Sequence, residues 1–177
     1  EVVCLDNLLT GVRANLAALE DHPGFSMVES DVSDGIEVSG PVDAVLHLAS
    51  PASPIDYLQM PLETLRVGAA GTWHALALAR SKNARFVLAS TSEVYGKATK
   101  FPFAEDDDLT IGATKNLRWS YASAKQLDEF LTLAYVREVG LPAVVLRFFN
   151  TTGPRQTGRY GMVLPNFVQS ALEGRPL

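Results

Sequence analysis

The sequence holds one cysteine in 177 residues, Cys4, which excludes a disulfide framework. Three histidines, His22, His47 and His74, are scattered around it and form no metal-ligand spacing. No block of basic residues occurs. With 15 Lys and Arg against 20 Asp and Glu, the net charge of −5 argues against a nucleic-acid partner. The apolar runs are strand-sized and fall short of the ~20 residues that a membrane span requires. No cleavable signal opens the chain, and no glycine-rich phosphate loop occurs in it. What is present is a hydrophobic content of 47%, which excludes a disordered chain and suffices for one sizeable core. A cytoplasmic α/β protein is the expectation.

Short β-branched or apolar runs at 2–5, 25–29, 44–48, 86–89 and 143–148 predict strands. Amphipathic stretches between them predict helices. Residues 61–82 carry Leu62, Leu65, Ala69, Thr72, Leu76 and Ala79 on one face, and Pro61 suits a first turn. Residues 121–139 repeat Leu127, Leu131, Ala134 and Tyr135, then stop at Gly140. Residues 163–173 predict a last helix closed by Gly174. Strands alternating with helices imply βαβ crossovers and a doubly wound parallel sheet. Opening on a bare strand and ending on a helix stop predict a segment of a longer protein. Cys4 is expected in strand core, with Trp73 and Trp119 as packing residues. Residues 97–118 are irregular, and the acidic run 106–108 reads as a solvated loop.

In such folds ligands bind beyond the carboxyl ends of the strands. The non-periodic polar residues gather there: Asp6 and Asn7, Asp31, 47–53, 90–93 and 149–155. Asp6 suits either the ribose hydroxyls of an adenine dinucleotide or ordinary turn chemistry. Asp31 is an adenine contact or a turn acid. Tyr121 and Lys125, four residues apart, project from one helix face. A nearby ammonium favours a phenolate and would lower the Tyr121 pKa towards the range of a general base. A solvated helix pair is the alternative. Thr91 and Glu93 follow a strand end, where a hydroxyl can bond phenol and substrate and a carboxylate adds a second acid/base. A polar turn is the alternative there.

Together these segments resemble the extended short-chain dehydrogenase/reductase family, in its NAD-dependent nucleotide-sugar epimerase, dehydratase and decarboxylase branch. The resemblance covers essentially the whole chain. VVCLDNLLTG resembles the family's ribose-binding segment, which implies Asp6 and Asn7 as NAD contacts. ESDVSD implies Asp31 and Val32 at the adenine, and HLAS implies Leu48, Ala49 and Ser50 along the cofactor. LASTSEVYG and YASAK resemble the catalytic segments, implying Thr91, Glu93, Tyr121 and Lys125, the last two also touching NAD. RFFNTTGPRQ implies Asn150 at the phosphates of the sugar nucleotide, with Thr91, Glu93 and Asn166 also on the substrate. The implied fold is Rossmann-like, lacking the first βα unit and the C-terminal substrate domain, with 150–177 entering the substrate-binding part. A homodimer is implied for the full-length protein, and no metal.

Residues 47–72 and the Thr91-Ser92-Glu93 run look closest to UDP-glucuronate decarboxylases. Residues 116–121 depart from that pattern towards epimerase-like members, and Gly68 stands where many relatives have Asn. The chemistry implied is oxidation of a sugar at C4 to a 4-keto intermediate, then decarboxylation. A UDP-sugar 4-epimerase and a 4,6-dehydratase are the alternatives. A non-catalytic dinucleotide-binding regulator on the same fold would need none of the four catalytic residues in register.

Overall fold

The computed structural model describes residues 1–153, 156 and 163–176. Five strands form where the apolar runs predict them: β1 (Val2–Asp6), β2 (Phe25–Glu29), β3 (Ala44–His47), β4 (Arg85–Thr91) and β5 (Ala143–Phe148). Every pairing is parallel, as crossover connections demand. β1 pairs with β2 from Val2↔Phe25 to Asp6↔Glu29. β4 lies between β3 and β5, with Thr91 level with Phe148. The strands form two separate hydrogen-bonded sheets, β1-β2 and β3-β4-β5, where the alternating pattern predicts one. Nevertheless, the carboxyl ends of β1 and β3 open on the same cleft.

The helices refine the sequence reading more than the strands do. α1 (Pro54–Gln59) was not expected, because six residues are too few to show a period. It starts where Ser53 Oγ accepts from the Ile55 amide at 3.3 Å, with proline in the first turn. The expected helix over 61–82 divides into α2 (Pro61–Arg66), a π-helical turn (Val67–Gly71) and α3 (Thr72–Lys82). Two glycines explain the wider turn. A Cβ on Gly68 would stand 2.8 Å from Ala124 Cβ, and one on Gly71 2.9 Å from Val32 Cγ2. The turn therefore presses its backbone against two neighbours at once, which an i→i+5 bulge permits.

α4 (Ser120–Val139) ends as expected at Gly140, which takes the left-handed conformation with φ 68°. α5 (Val163–Leu172) closes the described chain. The core sits where Ala75, Leu76 and Ala79 of α3 meet Phe86 and Leu88 of β4, with Leu141 beneath. Cys4 is only half-buried, so it is not a core residue. Trp73 is also displaced from its expected packing role: its ring is largely exposed and meets Tyr135 only edge-on at 6.1 Å.

No described strand pairs with the outer edge of β1 or of β3. Val2 on β1 is 59% exposed, while Leu46 on β3 and Leu48 just beyond it are 62% and 63% exposed. Unpaired apolar edges template association. The 177-residue chain expressed alone is therefore expected to self-associate, as sedimentation velocity would report; a monodisperse monomer would contradict this.

Candidate active site

The first part of the site is a cleft at the carboxyl ends of β1, β2 and β3. Asp6, Asn7, Asp31, Val32, Leu48, Ala49 and Ser50 all line it. The sequence order explains the convergence, since each group follows directly on a parallel strand. Asp6 Oδ1 accepts from the Leu8 amide at 2.7 Å, and Asn7 Oδ1 from the Leu9 amide at 3.0 Å. Asn7 Nδ2 donates to Asp31 Oδ2 at 3.1 Å, joining the ends of β1 and β2. The Ser33 amide donates to Asp31 Oδ1 at 2.8 Å. That hydrogen bond is the main reason the Asp31 carboxyl sits below its usual range, against a smaller opposing effect of burial. The turn reading and the ligand reading are thus compatible for Asp6, which uses one oxygen in its own turn, whereas Asp31 has one oxygen on the Ser33 amide and the other on Asn7.

The second part lies at the end of β4 and the start of α4. Tyr121, on the first turn of α4, is buried, and its ring stacks on Tyr57 of α1 at 5.1 Å with the planes 4° apart. Thr91 is near enough to the Tyr121 phenol to favour its ionised form. Thr91 Oγ1 accepts from the Glu93 amide at 3.2 Å. Glu93 does not stand free: Arg118 Nη1 donates to its Oε2 at 2.6 Å, and the Tyr57 hydroxyl to the same oxygen at 3.4 Å. Arg118 also bonds the Tyr57 hydroxyl.

Lys125 is buried one turn along α4 from Tyr121, and its ammonium lies 3.1 Å from Asp128 Oδ2. Here the structure corrects the sequence reading. The phenol of Tyr121 is pushed up to about 12, first by burial and then by the Glu93 carboxylate, with Asp128 adding to the rise. The lysine is held by a carboxylate that the spacing argument did not count.

Asn150 follows β5 by two residues, on the same edge as Thr91, and is exposed. Asn166 is half-buried on α5, and no described hydrogen bond links it to Thr91, Glu93, Tyr121 or Lys125. Pro154 and Arg155 of the RFFNTTGPRQ stretch lie outside the described residues. Sequence reasoning missed Tyr57, Arg118 and Asp128. Asp128 was the most accessible of these, since three residues after Lys125 is a helix-neighbour spacing. Among the described residues no group of three or more His, Cys, Asp and Glu could hold a metal. No described helix is long and apolar enough to cross a membrane.

The cleft fits a dinucleotide in its chemistry. Asp6 and Asp31 offer anionic acceptors to hydroxyls, the backbone at 48–50 offers a floor, and Arg66 at the rim is engaged by Asp31 and Asp34. Known proteins resemble this chain in sequence and in fold. A UDP-glucuronic acid decarboxylase of Arabidopsis thaliana is 38% identical over 177 residues, which is the whole of this chain and 51% of that protein. The chain therefore spans about half the length of the curated relatives it matches. A UDP-N-acetylglucosamine 4-epimerase of Methanobrevibacter ruminantium superposes with a TM-score of 0.84 at 26% identity, over 98% of this chain and 56% of that one. A dTDP-glucose 4,6-dehydratase of Streptomyces venezuelae, solved with NAD bound, gives 0.81 at 30% identity, covering 98% and 53%. The fold is thus Rossmann-like, and the pattern of the NAD dependent epimerase/dehydratase family matches residues 1–177 throughout. The chain belongs to the NAD dependent epimerase/dehydratase family.

Proposed function

We propose that the protein carrying this chain oxidises a nucleotide sugar at C4, and that its substrate is UDP-glucuronate, which it decarboxylates. The observation that supports the reading is the approach of Thr91, Glu93 and Tyr121 at the end of β4, with Lys125 one turn further along the helix that carries Tyr121. It is supported by the 38% identity to a UDP-glucuronic acid decarboxylase. Tyr121 removes the proton of the sugar 4-hydroxyl, while Thr91 bonds both oxygens and aligns them. Bound NAD would supply the hydride acceptor. Asp6 and Asn7 would hold its adenosine ribose, Asp31 and Val32 its adenine, and Leu48, Ala49 and Ser50 its length, with Tyr121 and Lys125 at the far end. Burial keeps water from Tyr121 and Lys125 during the oxidation. The ketone at C4 lies β to the carboxylate of a uronate, so CO₂ leaves as charge grows on the oxygen that Thr91 and Tyr121 face; C5 then takes up a proton, and return of the same hydride to C4 would give a UDP-pentose. Asn150 and Asn166 would hold the sugar nucleotide.

The test is incubation of the full-length protein with UDP-glucuronate and NAD, followed by assay for CO₂ and a UDP-pentose. UDP-galacturonate without CO₂ would instead establish a 4-epimerase. That second reading has one observation of its own: Glu93 is tied up by Arg118 and Tyr57, and simple epimerisation needs no acid/base there. A 4,6-dehydratase would be recognised by turnover of a neutral hexose, and binding of NAD without any turnover would identify a regulator. Glu93→Gln is expected to spare an epimerase and to impair a reaction at C5.

Cofactor preference follows from Asp6. Its carboxylate accepts from ribose hydroxyls and repels a 2′-phosphate, so NAD is expected to bind more tightly than NADP. Titrating the full-length protein with both would decide it, and tighter NADP binding would remove Asp6 from the site. Leu127, Phe130 and Leu133 recur every three residues on the exposed side of α4, and they support a homodimer as the working form.

A further inference from the structure

We infer that Asp128 is a positioning residue, whose buried carboxylate fixes the ammonium of Lys125 and sets the pH at which Tyr121 works. This rests on the catalytic reading of those two residues given above.

Four polar side chains from three elements meet in the interior between β3, α3 and α4. His47, Thr72, Lys125 and Asp128 are at most 4% exposed. Thr72 Oγ1 donates to Asp128 Oδ1 at 2.7 Å. That spends the only hydroxyl proton, so the 3.0 Å contact between Thr72 and His47 Nε2 must have the imidazole as donor. His47 is accordingly the Nε2-protonated neutral tautomer. Burial holds its pKa down at about 3, with the Lys125 charge as a second cause. Each bond along His47, Thr72 and Asp128 thus donates towards the carboxylate.

At the far side, Asp128 Oδ2 accepts no hydrogen bond, although it is fully buried. Lys125 Nζ lies 3.1 Å away, close enough for an ion pair but off the hydrogen-bonding direction. A buried ammonium without a counter-charge would lose its proton. Asp128 supplies that counter-charge; burial pushes its carboxyl pKa up, and the Lys125 charge, then the donor from Thr72, oppose the rise. The space for this carboxylate comes from Gly68, where an added Cβ would stand 3.3 Å from Asp128 Oδ1.

Other titratable groups surround the pair. Tyr121 and Glu129 share α4, His47 comes from β3, Glu93 from the turn after β4 and Tyr57 from α1. Glu63 and Arg66 of α2 line the cofactor cleft, and His74 of α3 is bonded to the Val32 carbonyl. None of these takes the place of Asp128 beside Lys125.

Removing an anion lowers the proton affinity of every neighbour. In Asp128→Asn the rise of kcat/KM with pH that Tyr121 sets should therefore move to lower pH. The expected shift is about one pH unit or more at this distance. A residue that served packing alone would lower the height of the profile without moving it.

The experiment records these profiles for the full-length protein and for Asp128→Asn, Thr72→Val and Tyr121→Phe, with the sugar nucleotide that the native protein turns over. Thr72→Val keeps the charge of Asp128, so its profile should not move towards acid. An unmoved profile in Asp128→Asn, or equal acid shifts in both variants, would overturn the inference. Wild-type turnover in Tyr121→Phe would instead overturn the catalytic reading beneath it. Should Asp128→Asn not fold, Lys125→Met is compared with the double variant Lys125→Met/Asp128→Asn. The double variant should be the more stable, because it no longer buries a lone carboxylate, and an equal or lower stability would refute the pairing.

Discussion

Replacing Tyr121 by phenylalanine in the full-length protein is expected to cut turnover of its sugar nucleotide by ~10²–10⁴-fold, the contribution typical of a positioned general base. The change removes one oxygen and keeps the ring, so the stack on Tyr57 at 5.1 Å survives and the fold should be unaltered. A circular-dichroism spectrum like that of the native protein would separate the chemical loss from misfolding. The pH dependence of the native protein carries a second signature. The Tyr121 phenol, held up at about 12, is protonated at neutral pH. Because the raised pKa disfavours the phenolate, its fraction grows as pH rises, by up to tenfold per unit while pH stays below the pKa. Turnover should rise between pH 7 and 9 in the native protein and lose that rise in the phenylalanine variant. A native rate that falls over this interval would speak against Tyr121 as the base.

The largest loss of stability is expected from Arg147→Leu. Glu129, buried on α4, receives Arg147 Nε at 2.9 Å and Nη2 at 2.7 Å, a two-pronged pairing, and Ser90 Oγ donates to it at 2.5 Å. Ser90 and Arg147 are register partners on β4 and β5. The carboxylate therefore fastens the helix to two adjacent strands. Without the guanidinium it would be a buried anion with one hydroxyl for company. Breaking a buried pair from one side costs about 3–5 kcal/mol, and the low end applies because the Arg147 side chain keeps 17% exposure. Urea unfolding of the full-length protein would measure it. Replacing both partners, as Glu129→Leu with Arg147→Leu, should cost less than replacing the arginine alone.

The five strands were legible because each is a β-branched run cut off by Gly, Pro, Asp or Asn. Stop signals such as Gly140 are local and need no tertiary information. The reading weakened where several elements act together. Residues 61–82 keep a helical period throughout, so nothing local marks the π turn. Its cause is the approach of Ala124, 56 residues away from Gly68. Tyr57 and Arg118 meet Glu93 across long sequence separations, and no spacing rule connects them. The division into two sheets was equally invisible, because alternation reveals how many strands exist but not which edges remain unpaired. The seven cleft residues beside β1, β2 and β3 were recoverable because strand ends in a parallel sheet all face one way. The rise in the Tyr121 pKa was not, since it depends on burial and on which partner claims the lysine.

The close contact at Gly68 also constrains how this chain can change. A side chain there would strike Ala124 Cβ first and then crowd Asp128 Oδ1. Position 68 is thus coupled to two positions on α4, and the three must vary together. Gly68→Asn alone should be deleterious, yet in a background of Ala124→Gly and Asp128→Ala its penalty should shrink, because both obstructing side-chain groups are gone and only the backbone at 124 still crowds the site. A sequence acquiring asparagine at 68 must therefore make room at 124 and shift the carboxylate at 128, so the surroundings of Lys125 are set by three positions and not by one.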